Sequence, residues 1–519
     1  MHRIADQLRI AGALAAWLGS WAVGGAQMAD QDSVVPEDGA GAVVAAPAPA
    51  SEALSEFYTV TVGGIPVPVY ACRVSAQPFN QVWPGYQRPL DQTELAGFAY
   101  WDMRAAVQVE VRSQWAIDTV AIRPRAAGVE PRVEGSRILF GMDRPQHLVL
   151  EVNGPHHALH LFASAPEQGV PAPDAPGVRY FGPGVHRPGR ITLESNQTVH
   201  IAPGAVVYGS IQATGAQSIA VRGRGILDQS PFERGEAGGA IRFSDCRDVV
   251  VQGVVMRDPD VWCCSLFGCR SARIEDVKLV GLWRYNADGI DICNSQDVTV
   301  RDCFVRSFDD SIVLKGLKFG QNSFDDRPVS KVRVSGCTIW CDWGRALEIG
   351  AETCAPEFAD ILCEDCDIVR TTHIAMDIQH GDRALVRNVR FEHVRVEMEE
   401  PNPRPQFQQS PEDRYAPPAD DDYLPLLAVI VIQGTGYSQD DQRGNVRDVL
   451  FRDIAVTASR MPPSSLQGFD AEHTVDGVSF EDVRLNGEPL GTAPEAGVQI
   501  GDHVHNVRFT GELMGTAEG

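Results

Sequence analysis

Long apolar runs and positive charge are both scarce in this sequence. The run from Ile10 to Val23 is too short for a comfortable membrane-spanning helix, and no later stretch reaches the roughly 20 apolar residues that one needs. The 519 residues include 45 Lys and Arg against 69 Asp and Glu, a formal net charge of −24. Since nucleic acids and anionic membranes bind positive surfaces, the composition predicts neither a nucleic-acid partner nor membrane insertion.

Several motifs of well-known enzyme classes are missing as well. The chain has no phosphate-binding P-loop, no dinucleotide-binding glycine fingerprint, no His-Glu-x-x-His zinc motif and no Gly-x-Ser-x-Gly nucleophile motif. We therefore predict no metal or organic cofactor, and the sequence leaves the oligomeric state open.

The N-terminal residues have the composition of targeting and linker segments. Residues 1–27 combine early basic residues with the apolar run and are predicted to be a secretory signal peptide, although Asp6 weakens the basic region and Met28 is an alternative start. This favours a secreted or extracytoplasmic protein, with a cytoplasmic one as the alternative. Residues 28–55 are rich in Ala, Pro, Gly and acids, which predicts a disordered linker.

A short phrase recurs from about residue 215 and determines the predicted fold. It reads apolar, two polar or small residues, apolar, any residue, apolar, and its copies begin mostly 23 to 34 residues apart. The copies start at Val221, Val251, Ile274, Val300, Val334, Cys363, Phe391, Phe451, Phe480 and Phe509. This period is typical of a solenoid, and the alternating apolar residues indicate strands. We therefore predict an all-β, right-handed parallel β-helix over residues 175–515.

The phrase also accounts for most of the cysteine spacing. Cys303, Cys337 and Cys366 occupy its fourth, apolar position, so we expect them to point inward as reduced core residues rather than to bind metal. Cys246 and Cys269 each precede a phrase by five residues, which predicts that they are neighbours on adjacent coils. Their spacing leaves open whether they form a disulfide.

Two regions depart from the repeat. Residues 56–168 contain short alternating strands, such as Tyr58 to Val62 and Val107 to Arg112, between turns rich in Gly, Pro and Asn, which predicts a small β-sandwich. One repeat interval is doubled by a Pro-rich, acidic insertion from Glu399 to Tyr423, which is either a cleft-lining element or a disordered loop.

Clustered acids mark a candidate site. The segments Asn286-Ala-Asp-Gly-Ile-Asp291 and Phe308-Asp-Asp-Ser311 place Asp288, Asp309 and Asp310 about one repeat apart. Carboxylates that crowd together repel one another, so the cluster calls for a reason, and acid/base chemistry on a sugar bond is the usual one.

The two segments strongly resemble the Asn-Thr-Asp-Gly and paired-Asp motifs of glycoside hydrolase family 28, the polygalacturonase family, and the resemblance spans roughly residues 175–515. It implies an inverting glycosidase in which Asp309 is the general acid, while Asp288 and Asp310 position and deprotonate the attacking water. Adjacent coils are about 5 Å apart, and so short a gap would by itself favour retention. We follow the resemblance, because side-chain directions change that gap. The order of a β-sandwich before a β-helix is also similar to that of the dextranases.

Two departures from the family pattern change the expected substrate. Gly344-Arg345 replaces the family's His-Gly motif, and Asp377-Ile-Gln379 replaces the Arg-Ile-Lys motif that holds a galacturonate carboxylate. Without those cations an acidic cleft repels a uronate, so we expect a neutral glycan or glycoside. The residues predicted to bind it are Asp291, Lys315, Arg345, Glu348, Glu352, Asp377, Gln379 and His380, with stacking by Trp283, Tyr285, Trp340 or Trp343.

Two alternatives to an inverting glycosidase stay open. One is a non-catalytic, carbohydrate-binding β-helix. The other is a polysaccharide lyase, which needs a Lys or Arg base and usually calcium held by several acids. The sequence indicates neither the sugar and its linkage nor endo or exo action.

Overall fold

The computed structural model describes residues 41–81, 90–318, 324–399, 402–408, 410, 412–419 and 421–511. The predicted signal peptide and residues 28–40 of the predicted linker lie outside the described residues. Strands and turns make up almost all of the described chain, with short 3-10 helices at Leu90–Gln92 and Arg125–Ala127. Within these ranges no helix has the length and apolar character to cross a membrane.

The N-terminal region is the predicted β-sandwich. Its strands are β1 Val43–Val44, β2 Tyr58–Val62, β3 Ile65–Val67, β4 Tyr70–Ser75, β5 Phe79–Gln81, β6 Thr93–Met103, β7 Val107–Ser113, β8 Val120–Arg123, β9 Arg132–Glu134, β10 Arg137–Met142, β11 Gln146–Val152 and β12 Leu159–Ser164. One sheet contains β1, β4, β6, β8, β11 and β12, and the other contains β2, β3, β7, β9 and β10. Alternate residues of β7 (Val107, Val109 and Val111) are buried in the core between the sheets.

Residues 41–55 differ from the disordered linker that their composition predicts. Val43 pairs with Met103 across β1 and β6 and is buried in the sandwich core. Glu52 forms a salt bridge of 2.8 Å with Arg257 of the following domain. One buried apolar side chain and one enclosed ion pair are sufficient to hold a Pro- and Ala-rich segment in place.

The C-terminal region is the predicted parallel β-helix. Its strands are β13 Val178–Phe181, β14 Gly184–Thr192, β15 Thr198–Ile201, β16 Ala205–Thr214, β17 Gln217–Gly223, β18 Ile226–Asp228, β19 Ile241–Ser244, β20 Arg247–Gln252, β21 Val255–Arg257, β22 Cys264–Phe267, β23 Arg270–Glu275, β24 Lys278–Val280, β25 Ile290–Cys293, β26 Gln296–Arg301, β27 Phe304–Ser307, β28 Ile312–Gly316, β29 Val329–Ser335, β30 Thr338–Cys341, β31 Arg345–Thr353, β32 Glu357–Glu364, β33 Asp367–Thr371, β34 Ile374–His380, β35 Leu385–Met398, β36 Gln406–Gln408, β37 Leu426–Ile432, β38 Val446–Ala458, β39 Ser464–Gln467, β40 Val475–Leu485, β41 Glu488–Leu490, β42 Val498–Ile500, β43 Val504–His505 and β44 Arg508–Thr510.

These strands stack in three parallel ladders. The first ladder runs through β19, β22, β25, β28, β31, β34, β37, β39 and β42; the second through β17, β20, β23, β26, β29, β32, β35, β38 and β40; the third through β18, β21, β24, β27, β30, β33 and the end of β35. Strand β36 belongs to the insertion and pairs with β5 of the sandwich instead.

The recurring phrase straddles the bend between the second and third ladders. Its third residue has a left-handed backbone, with φ between 50° and 82°, at Gly253, Asp276, Asp302, Gly336, Asp365, His393, Asp453 and Asp482. Only Gly and a few polar residues adopt this conformation readily, which explains why the phrase requires polar or small residues there. The phrase is therefore a bend signal as well as a strand signal.

The inward positions of the phrase form continuous stacks along the core. Rings of Phe391, Phe451, Phe480 and Phe509 stack with centroids 5.1, 4.9 and 5.0 Å apart. The expected inward cysteines Cys303, Cys337 and Cys366 are buried free thiols of the same core. Cys246 and Cys269 are also free, and they are hydrogen-bonded neighbours as predicted.

The sandwich packs against the third ladder. An apolar cluster joins Phe98 and Phe162 of the sandwich to Phe304, Trp340 and Val369 of the helix. The first ladder, which carries the candidate site, lies on a different side of each coil.

Candidate active site

The backbone brings the two acidic segments together on adjacent coils. The Gly289 N–H donates to the Asp310 carbonyl at 2.8 Å, and the Asp309 N–H donates to the Ala287 carbonyl at 3.2 Å. A Cβ at position 289 would lie 2.3 Å from the Ser311 carbonyl oxygen, so only glycine allows this approach. The predicted proximity of Asp288, Asp309 and Asp310 follows from these contacts.

Lys315 lies at the centre of these acids. Its Nζ is 3.0 Å from Asp288 Oδ2, 3.3 Å from Asp310 Oδ2 and 3.9 Å from Asp291 Oδ1. The two oxygens of Asp288 and Asp310 are therefore at most 6.3 Å apart. We call Asp288, Asp291, Asp309, Asp310 and Lys315 the Lys315 cluster. Burial disfavours the ammonium, but the surrounding carboxylates outweigh it and hold the pKa of Lys315 well above its usual value.

The adjacent acids Asp309 and Asp310 have opposite electrostatic environments. Burial, followed by the charges of Asp310 and Asp288, raises the pKa of Asp309 well above its usual value. Burial alone would raise the pKa of Asp310 too, but Lys315 and Arg345 outweigh it and lower that pKa. Asp309 is thus the carboxyl that retains a proton, and Asp310 is the one that ionises.

The other two acids of the Lys315 cluster are fully enclosed. Burial raises the pKa of Asp288 well above its usual value in spite of Lys315. Burial likewise raises the pKa of Asp291 to about 7, with Lys315 opposing the shift. The cluster therefore contains several carboxyl groups that share few negative charges near neutral pH.

A second group of charges continues along the first ladder. Asp291, Val313, Glu348 and Asp377 occupy matching positions on four successive strands, β25, β28, β31 and β34. Arg345 Nε is 3.3 Å from Asp377 Oδ2 and 3.8 Å from Glu348 Oε1. We call Arg345, Glu348 and Asp377 the Arg345 cluster.

The two acids of the Arg345 cluster are almost fully buried, whereas Arg345 itself is partly exposed. Burial raises the pKa of Asp377 to about 7 against the opposing effect of Arg345, and it raises the pKa of Glu348 well above its usual value. The two clusters touch, since Arg345 Nη1 is 3.8 Å from Asp310 Oδ1.

Gly344 makes that contact possible. A Cβ at this position would lie 2.5 Å from the Asp310 backbone nitrogen and 2.7 Å from Asp310 Oδ1. Gly344-Arg345, the pair that departs from the family motif, thus lies where the two clusters pack together. Gly344 contacts Asp310, and Arg345 supplies the cation of its own cluster.

Several buried carboxylate oxygens at the site lack a hydrogen-bond partner among the described residues. They are Asp288 Oδ1, Asp291 Oδ1, Glu348 Oε2 and Asp377 Oδ1. Buried polar atoms are nearly always hydrogen-bonded, and two of these acids do interact with a neighbouring carboxyl group, Asp291 with Asp288 and Glu348 with Asp310.

Of the remaining predicted binding residues, Gln379 and Glu352 lie near the two clusters and His380 does not. Gln379 Oε1 is 3.5 Å from Arg345 Nη2, and the carboxylate of Glu352 is one of the charges that raise the pKa of Lys315. His380 is fully buried and contacts Thr353 Oγ1 at 2.8 Å, and the structure does not bring it to either cluster.

Of the four aromatic residues predicted to stack on a sugar, two are structural. Trp283 is buried and donates to Asp258 Oδ1 at 2.7 Å, and Trp340 packs between the sandwich and the helix. Tyr285 and Trp343 lie closer to the acids: Asp309 acts on the pKa of Tyr285, which burial chiefly raises, and Trp343 directly precedes Gly344.

Sequence reasoning missed three neighbours of the site. Tyr437, which is 56% exposed, is close enough to Asp309 for that charge to raise its pKa, after burial. The Trp262 ring lies 4.6 Å from Lys315 Nζ. His373 directly precedes Ile374, the ladder partner of Arg345, and burial followed by Arg345 lowers its pKa to about 3. The repeat period is the one sequence signal that could have predicted that Tyr437, Trp262 and His373 lie near the acids.

Fold and site together define a parallel β-helix protein with clustered, mostly buried acids on one ladder. The sequence model of the family described as "Glycosyl hydrolases family 28" matches residues 195–403, which contain both clusters. The resemblance seen in the motifs is confirmed over this segment. No curated protein sequence matches the chain.

Among the similar solved structures, Dex49A supports the fold. Dex49A from Penicillium minioluteum is similar at 15% identity and a TM-score of 0.51, covering 91% of this chain and 92% of that one. An exopolygalacturonase from Thermotoga maritima has 16% identity, a TM-score of 0.45 and coverage of 64% and 85%. The family 28 exopolygalacturonase of Yersinia enterocolitica has 13% identity, a TM-score of 0.46 and coverage of 90% and 96%. At such identities the likeness to Dex49A concerns the fold alone.

Proposed function

We propose that this protein is a glycosidase that cleaves O-glycosidic bonds of a neutral glycan or glycoside. The observation that carries the proposal is that Asp288, Asp309 and Asp310 lie together on adjacent coils around Lys315, inside the segment that matches family 28. The opposite directions of the pKa shifts of Asp309 and Asp310 agree with it. Glycoside hydrolysis needs one carboxylic acid that gives up a proton and one carboxylate that activates water.

Asp309 is the general acid in this proposal. Its raised pKa lets it keep its proton to a higher pH than an ordinary Asp, and it is half-buried rather than fully enclosed, so its proton is accessible to a glycosidic oxygen. As the bond breaks, the proton passes from Asp309 to the leaving oxygen, and the carboxylate that remains is stabilised by the nearby Lys315 and Arg345 charges.

Asp310 and Asp288 deprotonate and hold the attacking water. Asp310 is the ionised member, because Lys315 and Arg345 lower its pKa. Asp288 shares the ammonium of Lys315 with Asp310 and has a free Oδ1, so it can hold a water between the two side chains. Direct attack by this water inverts the anomeric carbon, as the family resemblance implies.

The surroundings of the two cations support a neutral substrate. Lys315 and Arg345 each lie within 4.0 Å of three carboxylates, so neither is available to pair with a uronate. Arg345 and Gln379 are partly exposed, and their polar atoms can form hydrogen bonds with sugar hydroxyl groups.

Product analysis on a panel of neutral polysaccharides and polygalacturonate tests the proposal. We expect reducing ends from a neutral member of the panel, and an initial product of inverted configuration by proton NMR. Polygalacturonate should not be cleaved. Products with an unsaturated sugar would instead indicate a lyase, and binding without cleavage across the panel would indicate a carbohydrate-binding protein; either result overturns the proposal.

A further inference from the structure

The insertion from Glu399 to Tyr423, which the sequence left undecided, is fixed to the sandwich. Strand β36 pairs in parallel with β5, and Gln92 Nε2 donates to Gln408 Oε1 at 3.0 Å between two buried side chains. The Tyr415 ring packs edge-on against Phe79 with centroids 5.6 Å apart.

The other side of the insertion is fixed to the coils that carry the site. Tyr423 Oη donates to the Thr372 carbonyl at 2.8 Å, and Thr372 Oγ1 donates to the Asp342 carbonyl at 2.7 Å. Arg404 and Asp421 form a two-pronged ion pair within the insertion, at 2.9 and 3.0 Å from Arg404 Nε. The described part of the insertion therefore bridges the sandwich and the bend before β31 and β34.

This bridge presents one exposed aromatic side chain, Phe407, next to Trp343. Side chains of a strand alternate, so Phe407 points away from its buried neighbour Gln408 and is 39% exposed. Its ring lies 6.1 Å from the Trp343 ring at an angle of 78°. Trp343 adjoins Gly344, which packs on Asp310, and the Trp343 ring is 5.8 Å from that of His373.

We infer that the exposed Phe407 ring, supported by the buried Trp343 ring, stacks against the apolar face of a neutral sugar ring while the partly exposed Arg345 and Gln379 bind its hydroxyl groups. We call Phe407 and Trp343 together the aromatic wall. This inference rests on the proposed function, and it makes the sandwich part of the substrate site. A sugar ring has C–H groups on its faces and hydroxyl groups around its rim. The exposed Phe407 ring matches the first feature, and the partly exposed polar side chains of Arg345 and Gln379 match the second.

Binding measurements on a catalytically inactive variant test the aromatic wall independently of catalysis. In an Asp309→Asn background, calorimetric titration with maltotriose, cellotriose, isomaltotriose, xylotriose and trigalacturonate identifies the trisaccharide that binds. Phe407→Ala should then weaken its affinity about tenfold, the effect of one aromatic stack. Phe407→Trp should keep the affinity within about threefold, because the ring face is retained.

Phe469→Ala is the matched control. Phe469 is 48% exposed, and its ring lies 6.2 Å from that of His473 in the C-terminal coils, so its loss should leave affinity unchanged. Thermal unfolding of each variant checks that the insertion remains folded.

The outcomes separate the wall from the proposed function. If the protein cleaves a glycan but Phe407→Ala and Phe469→Ala have the same affinity for the trisaccharide, the inference about the aromatic wall is wrong and the proposed function is unaffected. If the protein cleaves no glycan, and Phe407→Ala nevertheless weakens trisaccharide binding, the proposed function is wrong and the inference about the aromatic wall is supported. Binding of trigalacturonate alone, or of no trisaccharide, overturns the inference.

Discussion

The Lys315 cluster and the Arg345 cluster are built alike but relate differently to the family pattern. Each places one cation among buried carboxylates on the first ladder, and Asp310 touches both cations. The acids of the Lys315 cluster stand in segments that match the family motifs, whereas Arg345 and Asp377 stand where those motifs differ. Under the proposed function, the difference means that one ladder keeps the groups for bond cleavage while its neighbouring coils change the groups that bind substrate.

Removing the acid of the Lys315 cluster should have the largest effect. We expect Asp309→Asn to lower kcat about 1,000-fold, because the amide has no proton to give to the leaving oxygen. Activity is measured on the substrate found in the panel, with the fold checked by circular dichroism. Asp297→Asn, at an exposed position whose left-handed backbone suits Asn, is the control and should keep full activity. Near-complete turnover by Asp309→Asn would give the acid role to another residue.

Removing the central cation should produce the next largest effect. Lys315→Met should lower kcat/KM about 100-fold near pH 5, because the pKa of Asp310 rises once the ammonium is gone. Asp310 must be ionised to act as base, so the acid limb of the pH–rate profile should move to higher pH.

Lys331 is exposed, and the control variant Lys331→Met should leave the acid limb of the pH–rate profile unchanged. An unchanged acid limb in Lys315→Met would show that Asp310 is not the base.

A substitution in the Arg345 cluster should separate binding from cleavage. We expect Asp377→Asn to raise KM about tenfold and to change kcat by less than about threefold, because the side chain contacts Arg345 rather than the acid pair. Steady-state kinetics on the neutral substrate measures both constants. A fall in kcat as large as that of Asp309→Asn would show that Asp377 contributes to bond cleavage, so that the two clusters act together in catalysis.

The smallest expected effect concerns stability. Burial raises the pKa of Asp377 to about 7, from about 3.9 in an unfolded chain. A raised folded-state pKa gives stability that is complete below the unfolded value and is lost as the pH rises through about 7. Wild type should therefore lose more thermal stability than Asp377→Asn between pH 5 and pH 8, by about 1–3 °C in Tm. Equal losses in differential scanning fluorimetry would show that Asp377 does not titrate in this range.

Much of the fold could be predicted because its signals are local. The phrase repeats the bend between two ladders, and its left-handed third residue restricts the sequence on every coil. The stacking of Phe391, Phe451, Phe480 and Phe509 follows from the same register. The proximity of Asp288 to Asp309 and Asp310 was predictable too, since about one repeat of sequence separates them.

The neighbours of the acids were less predictable. Tyr437 approaches Asp309 from a loop several coils away, and Phe407 approaches Trp343 from an insertion without any period. His380 was predicted at the site because it follows Gln379, yet its side chain lies in the buried bend beside Thr353. Side-chain direction at the end of a strand depends on the bend, which the residue pattern does not specify there.

The sequence by itself determined the coils, the stacked core and the acids shared by neighbouring strands, because a repeated register makes distant positions equivalent to local ones. Only the tertiary structure decided that the sandwich covers the third ladder, that the insertion joins the sandwich to the site, and that Asp309 and Asp310 have opposite pKa shifts. These features depend on burial and on charges brought together from separate coils, and no single segment of sequence contains that information.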